Sequence, residues 1–286
     1  MTTVDQLASP AAGTRVSFTR AVRSEWIKLL TLRSTWWSVG LVMLISIGLS
    51  ALVAITLANS PVDQVGPDGQ SFPSGVVPIL AIVQPVQFTQ LLGGILGVMA
   101  VTGEYSTGMI RSTLAAVPNR RWVLLSKAFA VATLVFAVSV IGFVFSMVVV
   151  TMVLAPVGLT IDFAAPAQSL LPVLYAALLV AAYSLLGVGV GFLVRSGAAA
   201  ISIVVGLVFV LPVVISVVLE LVGDGANWLT SAANYLPSML GQAAVLPPGI
   251  SSGTNGPEGV WALLVMLAWP AAALLGGYLV LSRRDA

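Results

Sequence analysis

The chain has 286 residues, of which 58% are hydrophobic and only 8% are charged, and its formal net charge is +2. Soluble domains carry about 25% charged residues, so a chain this apolar is expected to use lipid as its solvent. The sequence contains neither Cys nor His. This absence excludes thiolate chemistry, the usual zinc sites and every nucleophile that depends on a histidine base.

The N-terminal segment, residues 1–35, precedes the first apolar run. Residues 1–16 are small and polar, which is typical of a disordered tail. From Ser17, a suitable N-cap, to Arg33 the pattern predicts a basic amphipathic helix that lies in the membrane interface. Its apolar positions are Phe18, Val22, Trp26 and Leu29 or Leu30, and the basic positions away from them are Arg20, Arg23, Lys28 and Arg33. A simpler interpretation, a positively charged anchor that sets orientation, is compatible with this one.

Residues 36–286 contain six apolar runs, which we interpret as one membrane domain. The runs are Trp36–Ala58, Ile79–Thr102, Val123–Leu154, Leu170–Val194, Ala198–Leu221 and Val260–Leu281. Each is longer than the ~20 residues that an α-helix needs to cross ~30 Å of hydrocarbon. The sequence therefore predicts an all-α integral membrane protein with six transmembrane helices, the fourth and fifth being joined by a tight turn at residues 195–197.

The basic residues predict the orientation, because positive side chains stay on the cytoplasmic side of membrane proteins. All twelve lie in the N-terminal segment, between Gly103 and Lys127, at Arg195, or in the C-terminal tail. The connections on the opposite side hold acidic residues without a basic one: Asp63, Asp68, Asp162, Glu220, Asp224 and Glu258. We therefore expect a multi-pass protein of the plasma membrane, with both termini in the cytoplasm.

The connection from Gly103 to Lys127 is a polar island between two apolar runs. Its first part, Ser106 to Val117, is expected to form a short amphipathic helix. The apolar side of that helix comprises Met109, Ile110, Leu114 and Val117. Pro118 should end it, and Asn119 can cap the next helix, which begins near Arg120. A simple connector between spans would need only a few residues, so this segment is expected to contact another molecule.

The residues of this connection also follow a known pattern: an acidic residue that closes a span, then Tyr, Gly, a basic residue, TLAA, Pro and Arg-Arg. The pattern resembles the loop after the second span of ABC-2 type transporter permeases, whose coupling helix docks on the ATP-hydrolysing subunit. The matching positions are Glu104, Tyr105, Gly108, Arg111, Leu114, Pro118 and Arg120. The resemblance implies that these residues, with Arg121, form an exposed ATPase-coupling surface. The alternative is an amphipathic interfacial helix without a partner.

The resemblance also implies the other components of a transporter. Two separate ABC ATPase subunits would bind and hydrolyse ATP, and a second permease copy or paralogue would complete the membrane part. This chain is then expected to be neither an enzyme nor a cofactor-binding protein, and no nucleic acid is expected as a partner. Its expected function is outward transport of an amphipathic substrate, such as a drug, an antibiotic or a lipid, by alternating access.

The source of energy can be argued from the residues themselves. The charged residues of the spans lie only at their ends, at Glu104, Arg195 and Glu220, whereas ion-coupled carriers use ionisable groups at membrane depth. The chain also lacks the G-x-x-x-x-G-K-[ST] phosphate loop. Uphill transport would therefore need energy from another subunit. The alternative, from a different functional class, is a passive channel or a membrane assembly factor that transports nothing.

Three polar residues in the second span are candidates for contact with substrate. Gln84, Gln87 and Gln90 recur every three residues, and their amides could line an amphiphile-binding cavity. Hydrogen bonding between helices is the interpretation that we favour, because glutamine serves this purpose in membrane spans.

The remaining features concern helix packing. Residues 228–246 are apolar but interrupted, which favours a re-entrant or interfacial helix pair over a loose surface loop. The pairs Gly93 with Gly97 and Gly187 with Gly191 permit close helix contact and are weak indications of a dimer face. Pro212 and Pro270 are expected to kink the fifth and sixth helices.

Overall fold

The computed structural model describes residues 17–59, 75–222, 227–250 and 255–283. Every regular element in these ranges is a helix, and six helical segments are long and apolar enough to cross a membrane. The predicted all-α fold with six spans is therefore confirmed. The tail predicted to be disordered, residues 1–16, lies outside the described residues, as do Asp63, Asp68 and Asp224.

The N-terminal helix and the first span are separate elements. Helix α1 comprises Phe18–Thr31, and its predicted cap is present, since Ser17 Oγ accepts a hydrogen bond from the Arg20 backbone N–H at 3.4 Å. The backbone is extended at Leu32, and α2 then comprises Arg33–Ala58. This one-residue break allows the amphipathic helix and the apolar span to take different directions.

The other helices follow in chain order. They are α3 (Val77–Val83), α4 (Val86–Ser106), α5 (Met109–Ala116), α6 (Arg120–Leu154), α7 (Pro166–Val194), α8 (Gly197–Val205), α9 (Leu211–Val222), α10 (Asn227–Ala233), α11 (Pro237–Val245), α12 (Gly259–Met266) and α13 (Ala268–Arg283). Helices α3 and α4 form the second span, α6 the third, α7 the fourth, α8 and α9 the fifth, and α12 and α13 the sixth. Asn119 caps α6 as predicted, because its Oδ1 accepts from the Arg121 N–H at 3.1 Å.

Proline residues interrupt three of the spans. A π-helical turn, Gly206–Val210, precedes Pro212, and α12 ends at Met266, four residues before Pro270, at a turn through Leu267. The predicted distortions of the fifth and sixth spans are thus confirmed. A third break, at Pro85 between α3 and α4, was not predicted. Proline has no backbone N–H to donate, which accounts for the lost helical bonds at such positions.

The segment before the sixth span forms the two short helices that its interrupted pattern predicts. In α11, Leu240 and Ala244 are fully buried, and the helix packs against α7 and α12. The alternative of a loose surface loop is therefore wrong for this part of the chain.

Helix α7 lies at the centre of the bundle and packs most extensively against α4. A Cβ atom on Gly97 would overlap the backbone oxygen of Ser184, and one on Gly187 would overlap that of Gly94. Only glycine permits this approach of the two backbones. The glycine pairs are thus used within the chain, and their interpretation as a dimer face is wrong.

Candidate functional site

Four charged side chains form a closed ring at one end of the bundle, and we call Glu25, Lys28, Glu104 and Lys127 the ionic cluster. Lys28 Nζ donates to Glu25 Oε1 at 2.7 Å and to Glu104 Oε1 at 2.8 Å. Lys127 Nζ donates to Glu25 Oε2 at 2.6 Å and to Glu104 Oε1 at 2.9 Å. Each carboxylate therefore lies between two ammonium groups, and the formal charges of the cluster cancel.

The ionic cluster is shielded from solvent. Glu25, Glu104 and Lys127 are 4%, 3% and 2% exposed, while the Lys28 side chain is 27% exposed. Charged side chains are almost never buried to this degree unless they are paired. Because its members come from α1, the end of α4 and the start of α6, the cluster fastens the N-terminal helix to two membrane spans.

The short helix α5 is attached to the same cluster. Lys28 Nζ donates to Thr113 Oγ1 at 3.3 Å, and Ile110 is only 3% exposed. The chain turns from α4 into α5 at Gly108, whose φ of 73° is a conformation that glycine adopts without steric cost. Helix α5 therefore has one side against the bundle, while Arg111 lies on its exposed side.

Lys28 remains charged at neutral pH. Burial alone would lower the pKa of Lys28, but its hydrogen bonds to Glu104 and Glu25 and the charges of both carboxylates outweigh that effect. The pKa of Lys28 is consequently raised above its ordinary value, and the ammonium form that the cluster needs is favoured.

Two predicted coupling residues contact the last helix: Arg120 is half-buried and Arg121 is exposed. Arg120 Nη1 donates to the Leu281 and Ser282 carbonyl oxygens at 2.5 Å and 3.2 Å. Arg121 Nε donates to Tyr278 Oη at 2.8 Å. These bonds join the start of α6 to the end of α13.

Tyr105 also makes contacts within the bundle. Its ring meets the ring of Phe192 edge to face, with centroids 6.4 Å apart, and the Arg195 guanidinium carbon lies 5.4 Å from its centroid. Arg195 itself has a φ of 60° and ends α7, so the left-handed residue of this turn is Arg195 and not the neighbouring glycine. Tyr105 thus joins α4 to the end of α7.

The eight predicted coupling residues therefore differ in accessibility. Four of them are exposed, namely Gly108, Arg111, Pro118 and Arg121, and Leu114 is half-buried against the core. The expectation that Glu104 belongs to an exposed surface is wrong, because two lysines hold it inside the bundle. Lys28 was likewise expected on the polar side of α1, yet it points to the cluster.

Glu25 was missed by the sequence analysis. It is the only acidic residue of α1, and it precedes Lys28 by one helical turn on the buried side of the helix. A single carboxylate in an otherwise basic amphipathic helix was the available signal.

A cavity of about 590 Å³ lies beside the ionic cluster, between α1, the start of α2 and the end of α4. We call it the interfacial cavity. Its wall combines charged, hydroxyl and apolar side chains, and its volume falls within the range of small-molecule sites, roughly 300–1,000 Å³. The described structure thus contains a ligand-sized space that the sequence analysis did not predict.

The three glutamines lie away from the interfacial cavity. Gln84 is exposed at the break between α3 and α4, and Gln90 Nε2 donates to Gln87 Oε1 at 3.0 Å, within α4. The hydrogen bond therefore forms within one helix and not between helices. Gln90 Oε1 and Tyr183 Oη both lie next to Gly241 of α11.

Comparison of the chain with protein-family models and with curated proteins gives no match. The function must therefore be argued from the geometry. The two features that carry chemistry are the ionic cluster with its attached helix α5 and the interfacial cavity beside it.

Proposed function

We propose that the chain is the transmembrane permease subunit of an ATP-driven exporter of the ABC-2 type. It acts with two separate ATPase subunits and with a second permease copy or paralogue in the plasma membrane. The end of the bundle that contains the ionic cluster faces the cytoplasm, as the distribution of basic residues suggests. The cargo is an amphipathic molecule, such as a drug, an antibiotic or a lipid.

The observation that carries this proposal is the attachment of α5. This short helix has an exposed basic side and is joined to α4 and α6 by connections of two and three residues. Its buried side contacts the ionic cluster through Thr113, and the cluster in turn holds α1. A force on α5 is therefore passed to three neighbouring helices, which is what a coupling element needs.

The charge distribution supports an external source of energy. In the described part of the chain, the ionisable side chains of the spans lie towards the helix ends, in the cluster or beside Arg195 and Glu220. Ion-coupled carriers place such groups along the transport path. A partner that hydrolyses ATP would supply the energy through the exposed side of α5.

The decisive experiment is a charge reversal on that exposed side. Arg111→Glu should reduce recovery of the ATPase subunit from native membranes at least tenfold, since a lost interfacial charge contact costs roughly 2–5 kcal/mol. Arg283→Glu is the matched control, because it makes the same charge change at the exposed end of α13. Both variants should insert and purify like the parent protein.

Transport assays complete the test. Efflux of cargo from vesicles should require ATP and the partner, and it should survive collapse of the proton and sodium gradients. If no ATPase is recovered with the parent protein and efflux proceeds without ATP, a passive channel is the better description. A protein that neither transports nor recruits an ATPase would be an assembly factor.

A further inference from the structure

The outward side of α1 carries a line of exposed side chains. Arg20, Arg23, Ile27 and Leu30 recur every three or four residues, so they follow one another along one side of the helix. We call this line the outer stripe. All four residues are exposed, and the apolar pair, Ile27 and Leu30, are 55% and 46% exposed. The ionic cluster holds the opposite side of α1 through Glu25, so the outer stripe is presented away from the bundle.

The outer stripe differs from the apolar side that periodicity predicts for α1. Trp26 and Leu29, which belong to that predicted side, pack into the core of the bundle, and Leu29 is only 5% exposed. They are therefore already in contact with protein. The side of α1 that is free to contact another molecule combines two arginines with two large apolar residues.

The apolar end of the outer stripe continues into the first span. Trp36 Nε1 donates to the Leu30 carbonyl oxygen at 2.9 Å, which holds the indole against the last turn of α1. The Trp36 and Trp37 side chains nevertheless stay 59% and 82% exposed. Tryptophan is enriched where membrane meets water, and the first span begins just before this pair, at Arg33. The exposed apolar surface therefore lies at the level where the chain enters the membrane, which favours lipid over a soluble partner.

The charges around the outer stripe select the kind of lipid. At this end of the described bundle the two carboxylates, Glu25 and Glu104, are buried and paired with lysines. The exposed charged side chains there are all arginines: Arg20, Arg23, Arg33, Arg111, Arg121 and Arg283. A negatively charged leaflet attracts each basic side chain near its surface, and a guanidinium can donate two parallel hydrogen bonds to one phosphate. A lipid without net charge gains only the second of these contributions.

We propose that the outer stripe binds an anionic phospholipid of the leaflet at this end of the bundle. The guanidinium groups of Arg20 and Arg23 donate to the phosphate, while Ile27, Leu30 and the Trp36 ring lie against the acyl chains. The bound lipid covers the outward side of α1, whose inward side carries the ionic cluster, and so helps to keep α1 on the bundle. This proposal does not depend on an ATPase partner.

A lipid comparison on the purified full-length protein in detergent tests the selectivity. Phosphatidylglycerol and phosphatidylcholine with identical acyl chains are added separately, and the dissociation constant of the first bound lipid is measured by native mass spectrometry. Phosphatidylglycerol should bind about thirtyfold more tightly, as expected for two basic side chains at the surface of a charged lipid. Equal binding of the two lipids would overturn the proposal. Soluble glycerol phosphate should not compete, and competition at equal concentration would show a simple anion site instead of a lipid site.

Charge removal then tests whether the selectivity belongs to α1. The Arg20 and Arg23 side chains make no hydrogen bond or ion pair within the described part of the chain, so Arg20→Gln with Arg23→Gln should fold like the parent protein. This double variant should lose most of the preference for phosphatidylglycerol. Arg111→Gln with Arg283→Gln removes the same charge from exposed positions outside α1 and should keep the preference. An equal loss in both double variants would show diffuse attraction to a basic surface and would refute the site.

A fluorescent label distinguishes lipid from a protein partner on the outer stripe. The chain has no native cysteine, so an environment-sensitive dye can be attached to Leu30→Cys or, as the control, to Ser24→Cys, which is exposed on another side of α1. In nanodiscs that contain phosphatidylglycerol, lipids brominated in the acyl chain should remove most of the fluorescence at position 30, and aqueous iodide should remove most of it at position 24. Iodide quenching of both positions alike would place the outer stripe in water, as for a docking surface of another protein, and would overturn the proposal.

Discussion

Removal of Lys127 from the ionic cluster should detach α1 from the bundle. Lys127→Met leaves a side chain of similar length but removes the ammonium that contacts Glu25 at 2.6 Å and Glu104 at 2.9 Å. Two buried carboxylates would then share the single charge of Lys28. Breaking a buried ion pair by removal of one partner costs roughly 3–5 kcal/mol, so an opening equilibrium should shift by a factor of about a hundred or more.

Cysteine labelling measures this opening directly, because the chain contains no native cysteine. Ala21, on the inner side of α1, is 4% exposed, so the thiol in an Ala21→Cys variant should react with a maleimide only when α1 detaches. Adding Lys127→Met should raise the labelling rate about a hundredfold. Ser24→Cys, on the exposed side of α1, should label fast in both backgrounds and serves as the control for reagent and detergent.

A double-mutant cycle then tests whether the charges act together. Glu25→Gln with Lys127→Met leaves Glu104 and Lys28 as a neutral pair at 2.8 Å. The double variant should therefore open less than the two single effects predict, with a coupling energy of about 1–3 kcal/mol. Labelling of Lys127→Met at the parent rate, or strictly additive effects in the cycle, would refute the argument that the cluster fastens α1.

Three further predictions concern pH, packing and orientation. Because the pKa of Lys28 is raised in the folded protein, its contribution to the free energy of unfolding is fully present below the unfolded-state pKa of about 10.4. That contribution disappears as pH rises through the folded-state pKa. Lys28 should therefore cause no change in the unfolding midpoint in detergent between about pH 6 and 9. Gly97→Ala should destabilise the bundle by about 3 kcal/mol or prevent insertion, because its Cβ would overlap the Ser184 oxygen, whereas Gly48→Ala should have little effect in the same unfolding assay. Reporter fusions after Asn255 should be external and those after Asn119 cytoplasmic; a cytoplasmic signal at Asn255 would contradict the proposed orientation.

The spans were predictable because their signal is local. A helix in lipid satisfies its own backbone hydrogen bonds, so the length of an apolar run is enough to identify it. The same holds for the caps at Ser17 and Asn119, where the side chain bonds a backbone N–H two or three residues away. The break at Pro85 also had a local signal, a proline inside an apolar run, and it was overlooked.

The ionic cluster could not be predicted in this way because it joins distant parts of the chain. Glu25 and Lys127 are 102 residues apart, and Lys28 and Glu104 are 76 apart. Helical periodicity correctly predicted an amphipathic α1, but it assigned Lys28 to the polar side with the arginines. Which polar residue of an interfacial helix turns inward depends on the partners available there, and those become known only when the spans have been packed.

The glycine pairs were also only partly predictable, because their spacing does not identify the helix that packs against them. Their spacing indicates that another backbone comes close, and this proved correct. The identity of that backbone is a tertiary property, and the structure places α4 and α7 of one chain at this contact. The interfacial cavity is likewise tertiary, since its wall needs three helices in position at once.

The burial of Glu104 changes how coupling to a partner must be tested. A Glu104 variant loses two ion pairs inside the bundle, so a loss of transport could reflect either a weaker partner contact or an opened α1. The Arg111 side chain makes no hydrogen bond or ion pair within the described part of the chain, and its substitution leaves the cluster intact. Arg111→Glu should thus lower partner binding without faster labelling of Ala21→Cys, whereas Lys127→Met should accelerate labelling even when no partner is present. If Arg111→Glu and Lys127→Met change the labelling of Ala21→Cys alike, partner docking and the attachment of α1 cannot be distinguished. The exposed side of α5 would then be an ordinary interfacial surface.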